Sequence, residues 1–200
     1  MSEAEQSALA EELRLEGDGV YLRLPRATDW PEWARLRAAS RDFLQPWEPT
    51  WANDGLTREF YETRIDELEE ARRRGECVMF FIFRSEDNRL VGGITLSNIR
   101  RGVAQCGTIG YWMGAPYANR GYMTAGLRRL IEYSFDTLEL HRLEAGTVPG
   151  NVPSTRLLRR AGFVTEGIAR GYLHIDGRWR DHIMYGLLRS DRRKCWHSGG

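Results

Sequence analysis

The chain has 200 residues, 42% hydrophobic and 28% charged, with 29 Lys and Arg against 28 Asp and Glu for a formal net charge of +1. That length and balance suit one globular domain large enough to bury most of the surface its unfolded chain exposes. A charge so close to zero disfavours nucleic acid as the main partner, and the longest clear apolar run, Val78–Phe83, is far too short to span a membrane.

In chain order, residues 1–15 form an acidic, Ala- and Glu-rich segment, unlike the basic start of a secretory signal, and read as a short loosely packed helix or a frayed terminus. A strand is expected over 19–26. Asp29 with Glu32 three residues later fits a capping box, with Pro31 tolerated in the first turn of a helix that ends before Pro46. Tyr61, Ile65 and Leu68 recur at helical spacing within 57–74, a segment closed by Gly75. Strands over 77–84 and 89–97 flank the hairpin signal Ser85-Glu86-Asp87-Asn88, and a strand over 106–113 would pair with the second of them. A helix over 124–137 carries Leu127, Leu130, Ile131 and Phe135 on one face. A strand over 142–148, a helix over 153–160 and two strands over 164–175 and 178–188 complete the core. The last two flank Asp176-Gly177, which supplies the positive φ angles of a tight turn. Residues 191–200 read as a tail. The core therefore spans about 19–188 as a single domain, and helices packed on both faces of a mixed sheet are the natural architecture.

Cys77, Cys106 and Cys195 are odd in number, widely spaced and without a CxxC pair, as expected of buried or incidental thiols in a reduced cytoplasm. None of the four His has the spacing of a zinc site, so no metal is expected.

The most informative stretch is Ile109-Gly110-Tyr111-Trp112-Met113-Gly114-Ala115-Pro116-Tyr117-Ala118-Asn119-Arg120-Gly121-Tyr122-Met123-Thr124. An apolar strand enters a short loop with Arg and Gly, and a helix follows at once. The first N–H groups of a helix lack intrahelical partners and carry partial positive charge, so they can hold a pyrophosphate. Gly121 permits close approach of the ligand, and Arg120 adds a fixed charge. About thirty residues on, Arg142–Thr147 reads as another strand. It leads to Asn151 and Ser154, three apart, and to a basic helix ended by Gly162.

Together these blocks resemble the GNAT acyltransferase superfamily, and most closely its RimJ/RimL-type ribosomal-protein N-terminal acetyltransferases. The family's phosphate loop falls on Ala118–Met123, where Gly121 is the strict match. Ala118 stands in place of a polar residue and Met123 in place of a small one. Tyr21–Trp30, Phe43–Pro49, Gly162–Gly167 and Gly177–Asp181 also resemble segments of that group, so the likeness covers about 19–188. It implies a mixed, mostly antiparallel α/β sheet with helices on both faces and two central strands that splay apart around acetyl-CoA. It further implies that the pantetheine lies along the splayed strand almost like an added strand.

By that resemblance, the backbone at Trp112 and Met113 meets the thioester and pantetheine. The loop from Asn119 through Arg120 and Gly121 to Tyr122, Met123 and Thr124 holds the pyrophosphate. Asn151 binds the pantetheine or an ordered water, and Ser154 hydrogen-bonds the departing sulfur. The residues alone leave Ser154 open between that role and capping the helix that begins near Pro153. Glu144 is the candidate general base, with an ion pair to a neighbouring Arg as its alternative. Asp181 and His174 are read as a cross-strand pair near the acceptor, and His141 as a cation at a helix end.

Trp47, Glu48 and Tyr172 are the candidate acceptor residues, with Phe43, Trp51 and Trp179 as further aromatics for the cleft or the core. Glu48 either attracts a positively charged acceptor or is a solvated loop residue. No cysteine stands as a conspicuous nucleophile, so direct transfer in a ternary complex is expected. A protein α-amine, with a pKa of about 7.7–8.0, is roughly one-tenth neutral at pH 7, whereas a lysine near about 10.4 is neutral less than about one time in a thousand. An ill-defined base therefore favours an N-terminal acceptor, and the resemblance implies a ribosomal protein. The alternatives are a small amine such as an aminoglycoside, polyamine or amino-acid derivative, and a non-catalytic acyl-CoA-binding module. Oligomeric state, a homodimer included, stays open.

Overall fold

A computed structural model describes residues 13–191; the segments at 1–12 and 192–200, with Cys195, lie outside the described residues. Among the described residues eight strands form one sheet: β1 (Arg14–Gly17), β2 (Val20–Arg23), β3 (Val78–Arg84), β4 (Leu90–Arg100), β5 (Cys106–Met113), β6 (Arg142–Thr147), β7 (Val164–Ile175) and β8 (Arg178–Leu188). Their order is β1-β2-β3-β4-β5-β6-β8-β7. Neighbours are antiparallel except β5 and β6, which run parallel. The principal helices are α1 (Trp30–Ala39), α2 (Arg58–Arg73), α3 (Tyr122–Glu132) and α4 (Val152–Arg160).

Helices cover both faces, which explains why β3 is an unbroken apolar run rather than an alternating one. Val78, Phe80 and Ile82 pack with Leu127, Leu130 and Ile131 of α3 and Leu158 of α4. Met79, Phe81 and Phe83 point the other way, into a cluster with Trp33 and Leu36 of α1 and Tyr61 of α2. Gly93 of β4 serves this second layer. A Cβ at Gly93 would lie 2.5 Å from Trp112 Nε1, so a larger residue there would push the indole off the sheet.

Several local expectations are corrected by tertiary contacts. The N-terminal segment read as ending at 15 runs into β1, which begins at Arg14 and turns at Asp18-Gly19 (Gly19 φ +71) into β2. Leu13 and Leu15 pack against the core while Arg14 and Glu16 are exposed, an alternation too short to stand out. The first long strand stops at Arg23, not 26.

The capping box at Asp29 and Glu32 does not form. The Asp29 carboxylate instead accepts two bonds from Arg23, at 2.8 and 2.7 Å, and one from the Arg26 N–H at 2.8 Å. Glu32 accepts the Leu90 N–H across the layer at 3.0 Å. The first helix ends at Ala39 and is followed by single turns at Arg41–Leu44 and Gln45–Trp47. The helix expected over 124–137 starts earlier, at Tyr122. It gives way to a π-type turn over Tyr133–Thr137, where Ser134 Oγ donates to the Leu130 carbonyl at 2.7 Å. The turn expected at Asp176-Gly177 is present, with φ of +48 and +75.

Arg23 and Asp29 pair with side chains only 17% and 9% exposed. Removing one partner of such a pair leaves a desolvated charge behind. Asp29→Ala is therefore expected to cost about 3 kcal/mol in urea-unfolding stability.

Candidate active site

The parallel contact of β5 with β6 is short. It runs from Cys106↔Arg142 to Ile109↔Ala145 and stops. Beyond that point β5 stays with β4 as far as Met113↔Gly92, while β6 stays with β8 as far as Thr147↔Ile183. Residues 110–113 and 146–147 thus border a wedge, each strand holding its outer neighbour. A Cβ at Gly110 would meet nothing within 4 Å, so the sheet face that carries Trp112 is uncovered where the wedge begins.

From the end of β5 the chain passes a 3-10 turn at Ala115–Tyr117, tied down by the Ala115 N–H donating to Ser40 Oγ at 2.9 Å. It then curls through two left-handed residues, Asn119 (φ +59) and Gly121 (φ +86), into α3. Gly121 is the N-cap of α3 and supplies no side-chain cap, and its missing Cβ would face open space. The first amides of α3, at Tyr122, Met123 and Thr124, therefore begin beside the exposed Arg120 in an anion-binding geometry.

On the same face of the sheet, α4 begins at the wedge. Asn151 caps it, its Oδ1 accepting the Ser154 N–H at 3.2 Å. The capping alternative for Ser154 is thereby corrected: the cap is Asn151, and the helix starts at Val152. The Ser154 hydroxyl instead lies 2.7 Å from the Tyr111 hydroxyl of β5. Next to it, Tyr185 of β8 donates to Thr155 Oγ1 at 3.2 Å. Loss of hydration pushes the Tyr111 phenol up to about 12, with Tyr185 adding to the rise and the Ser154 hydrogen bond opposing it. Sequence reasoning assigned Tyr111 no role. The available signal was strand alternation, which puts Ile109, Tyr111 and Met113 on one face.

The opposite face holds the candidate acceptor residues. Trp112 lies here, and the Arg37 guanidinium sits over its ring at 4.9 Å and over Trp51 at 4.2 Å. Arg37 grips Glu48 through two bonds of 2.8 and 2.6 Å, and Trp51 Nε1 donates to the same carboxylate at 2.9 Å. Glu48 is thus neither solvated nor a free negative charge. Trp47, half-buried in its 3-10 turn, directly precedes it. The β7–β8 turn reaches over to this segment, with the Asp176 N–H donating to the Glu48 carbonyl at 3.0 Å. Tyr172, 43% exposed, meets the buried His182 edge-on at 5.4 Å between ring centres. Trp179 is 68% exposed and crosses His174 at 5.5 Å, so His174 pairs with Trp179 and not with Asp181, which accepts the Gly171 N–H at 2.8 Å.

Glu144 is not brought to Ser154. It lies opposite Thr108, in the still-paired part of β5 and β6. Alternation turns it away from Leu143 and Ala145, which face α3 and α4. Its carboxylate is bound by Arg100 at 2.9 Å and Arg142 at 3.1 Å. The ion-pair alternative describes its position. Cys106 is buried and Cys77 half-buried, and burial pushes the Cys77 thiol up, which leaves it a poor nucleophile. Among the described residues no group of three or more His, Cys, Asp and Glu could hold a metal ion. Likewise no described helix is long and apolar enough to cross a membrane.

A parallel pair parted over a glycine-framed helix start, inside a mostly antiparallel sheet, is the architecture of an acyltransferase. The chain belongs to the GNAT acetyltransferase family, whose domain model matches residues 20–164. It is 38% identical over 177 residues to the probable N-acetyltransferase YjcK of Bacillus subtilis strain 168, covering 88% of this chain and 98% of that protein. It is 33% identical over 179 residues to the ribosomal protein uS5-alanine N-acetyltransferase of Escherichia coli K12, covering 90% and 92% of the two chains. The solved structure of Mycobacterium smegmatis RimJ in complex with CoA-disulfide superposes with a TM-score of 0.82 at 32% identity, covering 88% of this chain and 86% of that one.

The division of labour at α4 is testable by stability. Asn151→Ala, which removes the cap, should cost about 1 kcal/mol in chemical denaturation. Ser154→Ala keeps the cap and loses only its hydroxyl contact with Tyr111, also about 1 kcal/mol, so its cost should vanish in a Tyr111→Phe background while that of Asn151→Ala persists.

Proposed function

We propose that the protein moves the acetyl group of acetyl-CoA directly to the N-terminal α-amine of a protein, a ribosomal protein being the favoured acceptor. The observation that supports this reading is the parting of β5 and β6 after Ile109 and Ala145, which leaves their inner edges unpaired between the face that carries α3 and α4 and the face that carries Trp112. The residues present fit acetyl-CoA. Gly121 and Gly110 leave open space where a bulky residue would intrude. The uncapped start of α3 and the unpaired edge of Trp112–Met113 offer backbone groups.

In this reading the amides from Arg120 through Gly121, Tyr122 and Met123 to Thr124 hold the pyrophosphate, and the Asn119 turn shapes their loop. Trp112 and Met113 present the edge along which the pantetheine lies, and the Met113 amide polarises the acyl carbonyl. Asn151 borders the pantetheine, and Ser154 hydrogen-bonds the sulfur as it departs. Acetyl-CoA supplies an activated thioester, so the chain needs no nucleophile of its own.

The acceptor enters from the opposite face, between Trp47, Glu48 and Tyr172. Arg37 balances the Glu48 charge, so Glu48 orients an amine by hydrogen bonding more than by long-range attraction. With Glu144 committed to two arginines, the amine sheds its proton to solvent or a weak base, which suits an α-amine and not a lysine. Such an enzyme would work in the cytoplasm, where ribosomal proteins are made.

Gly121→Glu should abolish CoA binding in calorimetry while circular dichroism shows a folded protein; unchanged affinity would remove the phosphate site from this loop. With peptide acceptors, kcat/KM should rise with pH and level off near the amine's own pKa of about 7.7–8.0, in Glu144→Gln as in the parent. A loss of about a hundredfold in that variant would instead make Glu144 the base. Lysine-free peptides with an open terminus should outperform terminally blocked, lysine-bearing ones. The reverse order, or an aminoglycoside better than every peptide, would assign the enzyme to small amines.

A further inference from the structure

We infer that Tyr111 is a positioning residue for the Ser154 hydroxyl: the two hydroxyl oxygens lie 2.7 Å apart, and with the phenol as donor the serine's own proton is left free for the sulfur of the acyl donor. The inference rests on the role proposed above for Ser154 and adds a second residue, from a different element, without which that role is poorly defined.

A serine hydroxyl has one proton, two lone pairs and a free rotor. Near a helix start its proton is readily spent on a backbone carbonyl one turn earlier. Here the Ser154 backbone N–H is taken by Asn151, and the oxygen is met by Tyr111 from across the wedge. The phenol is the stronger acid of the two hydroxyls and so the better donor. Its loss of hydration keeps it protonated well beyond neutral pH, so it donates at every pH at which an α-amine acceptor reacts.

A donor chain running from phenol to serine to sulfur polarises along its length and is strongest when negative charge collects on the sulfur. During transfer the C–N bond forms and the C–S bond breaks, with its electron pair leaving on sulfur. The proton shed by the acceptor nitrogen restores the thiol through solvent. Tyr111 and Ser154 finish with the protons they started with. The contact between Tyr185 and Thr155 holds the same turn of α4 in place, so the geometry does not depend on Tyr111 alone.

The test compares Tyr111→Phe, Ser154→Ala and the double variant. Tyr111→Phe keeps the ring in the core and removes one oxygen. It should lower kcat roughly threefold to tenfold, the worth of one hydrogen bond. The KM for acetyl-CoA should be unchanged, and in the Ser154→Ala background the substitution should have no further effect.

A binding readout is independent of turnover. Near pH ~8.5, where an ordinary thiol is half ionised, the parent should bind CoA more tightly than desulfo-CoA in calorimetry. Tyr111→Phe should lose most of that preference while binding desulfo-CoA as before. Wild-type kcat in Tyr111→Phe beside a slow Ser154→Ala would overturn the inference and leave Ser154 its role. An equal effect of Tyr111→Phe in both backgrounds would make Tyr111 a packing residue. A Ser154→Ala variant with wild-type kcat would overturn the role of Ser154, and this inference with it.

Discussion

Four residue pairs of parallel ladder join β5 to β6, and the rest of the molecule is organised around the point where that ladder ends. A strand that leaves its partner exposes N–H and C=O groups that must be satisfied elsewhere or by a ligand. Both strands solve half of the problem by keeping their outer antiparallel neighbours, β4 and β8. The inner edges remain, bordered by glycine at Gly110 and Gly146. Every group assigned to chemistry stands at this opening: the start of α3 at its outer end, Ser154 and Tyr111 on one face, and Trp112 with the Arg37 cluster on the other.

The two faces are built on different physics. Around the Ser154 side of the opening the layer is apolar, and the polar groups that meet there are neutral hydroxyls and amides that cap, orient and donate. Toward α1 and α2 the polar groups are charged and paired. Arg23 holds Asp29, Arg37 holds Glu48, and Arg142 spans Glu144 and Glu166. Pairing of this kind shapes a surface without giving it a strong field, since each carboxylate is balanced where it stands. It also withholds those carboxylates from proton transfer. A site so constructed relies on an acceptor that is already partly neutral, which is why the pKa of the amine matters more here than the basicity of any one side chain.

The long β7–β8 hairpin adds a constraint that local pattern does not reveal. Its turn at Asp176-Gly177 bonds to the backbone of Glu48, some 130 positions earlier in the chain, and so ties the acceptor segment to the far edge of the sheet. Glu48 is therefore placed by α1 through Arg37, by Trp51 beside it, and by the hairpin above it.

Much of this was legible in residue order. The buried run at Val78–Phe83, the Asp176-Gly177 turn, the strand–loop–helix at Ile109–Thr124 and the Asn151–Ser154 spacing each follow from local rules of burial, φ preference and helix termini. Those rules act over a few residues and need no partner. What tertiary structure decided is which polar group each side chain meets. Asp29 kept its place before the helix but gave its carboxylate to Arg23 and the Arg26 N–H, and Glu144 met two arginines instead of the wedge. Ser154 lost the cap to Asn151 and gained Tyr111 from a strand forty-three positions away. A hydroxyl or carboxylate bonds whatever donor or acceptor the fold brings within about 3 Å, and that choice is made by packing between elements, which residue order alone does not encode locally.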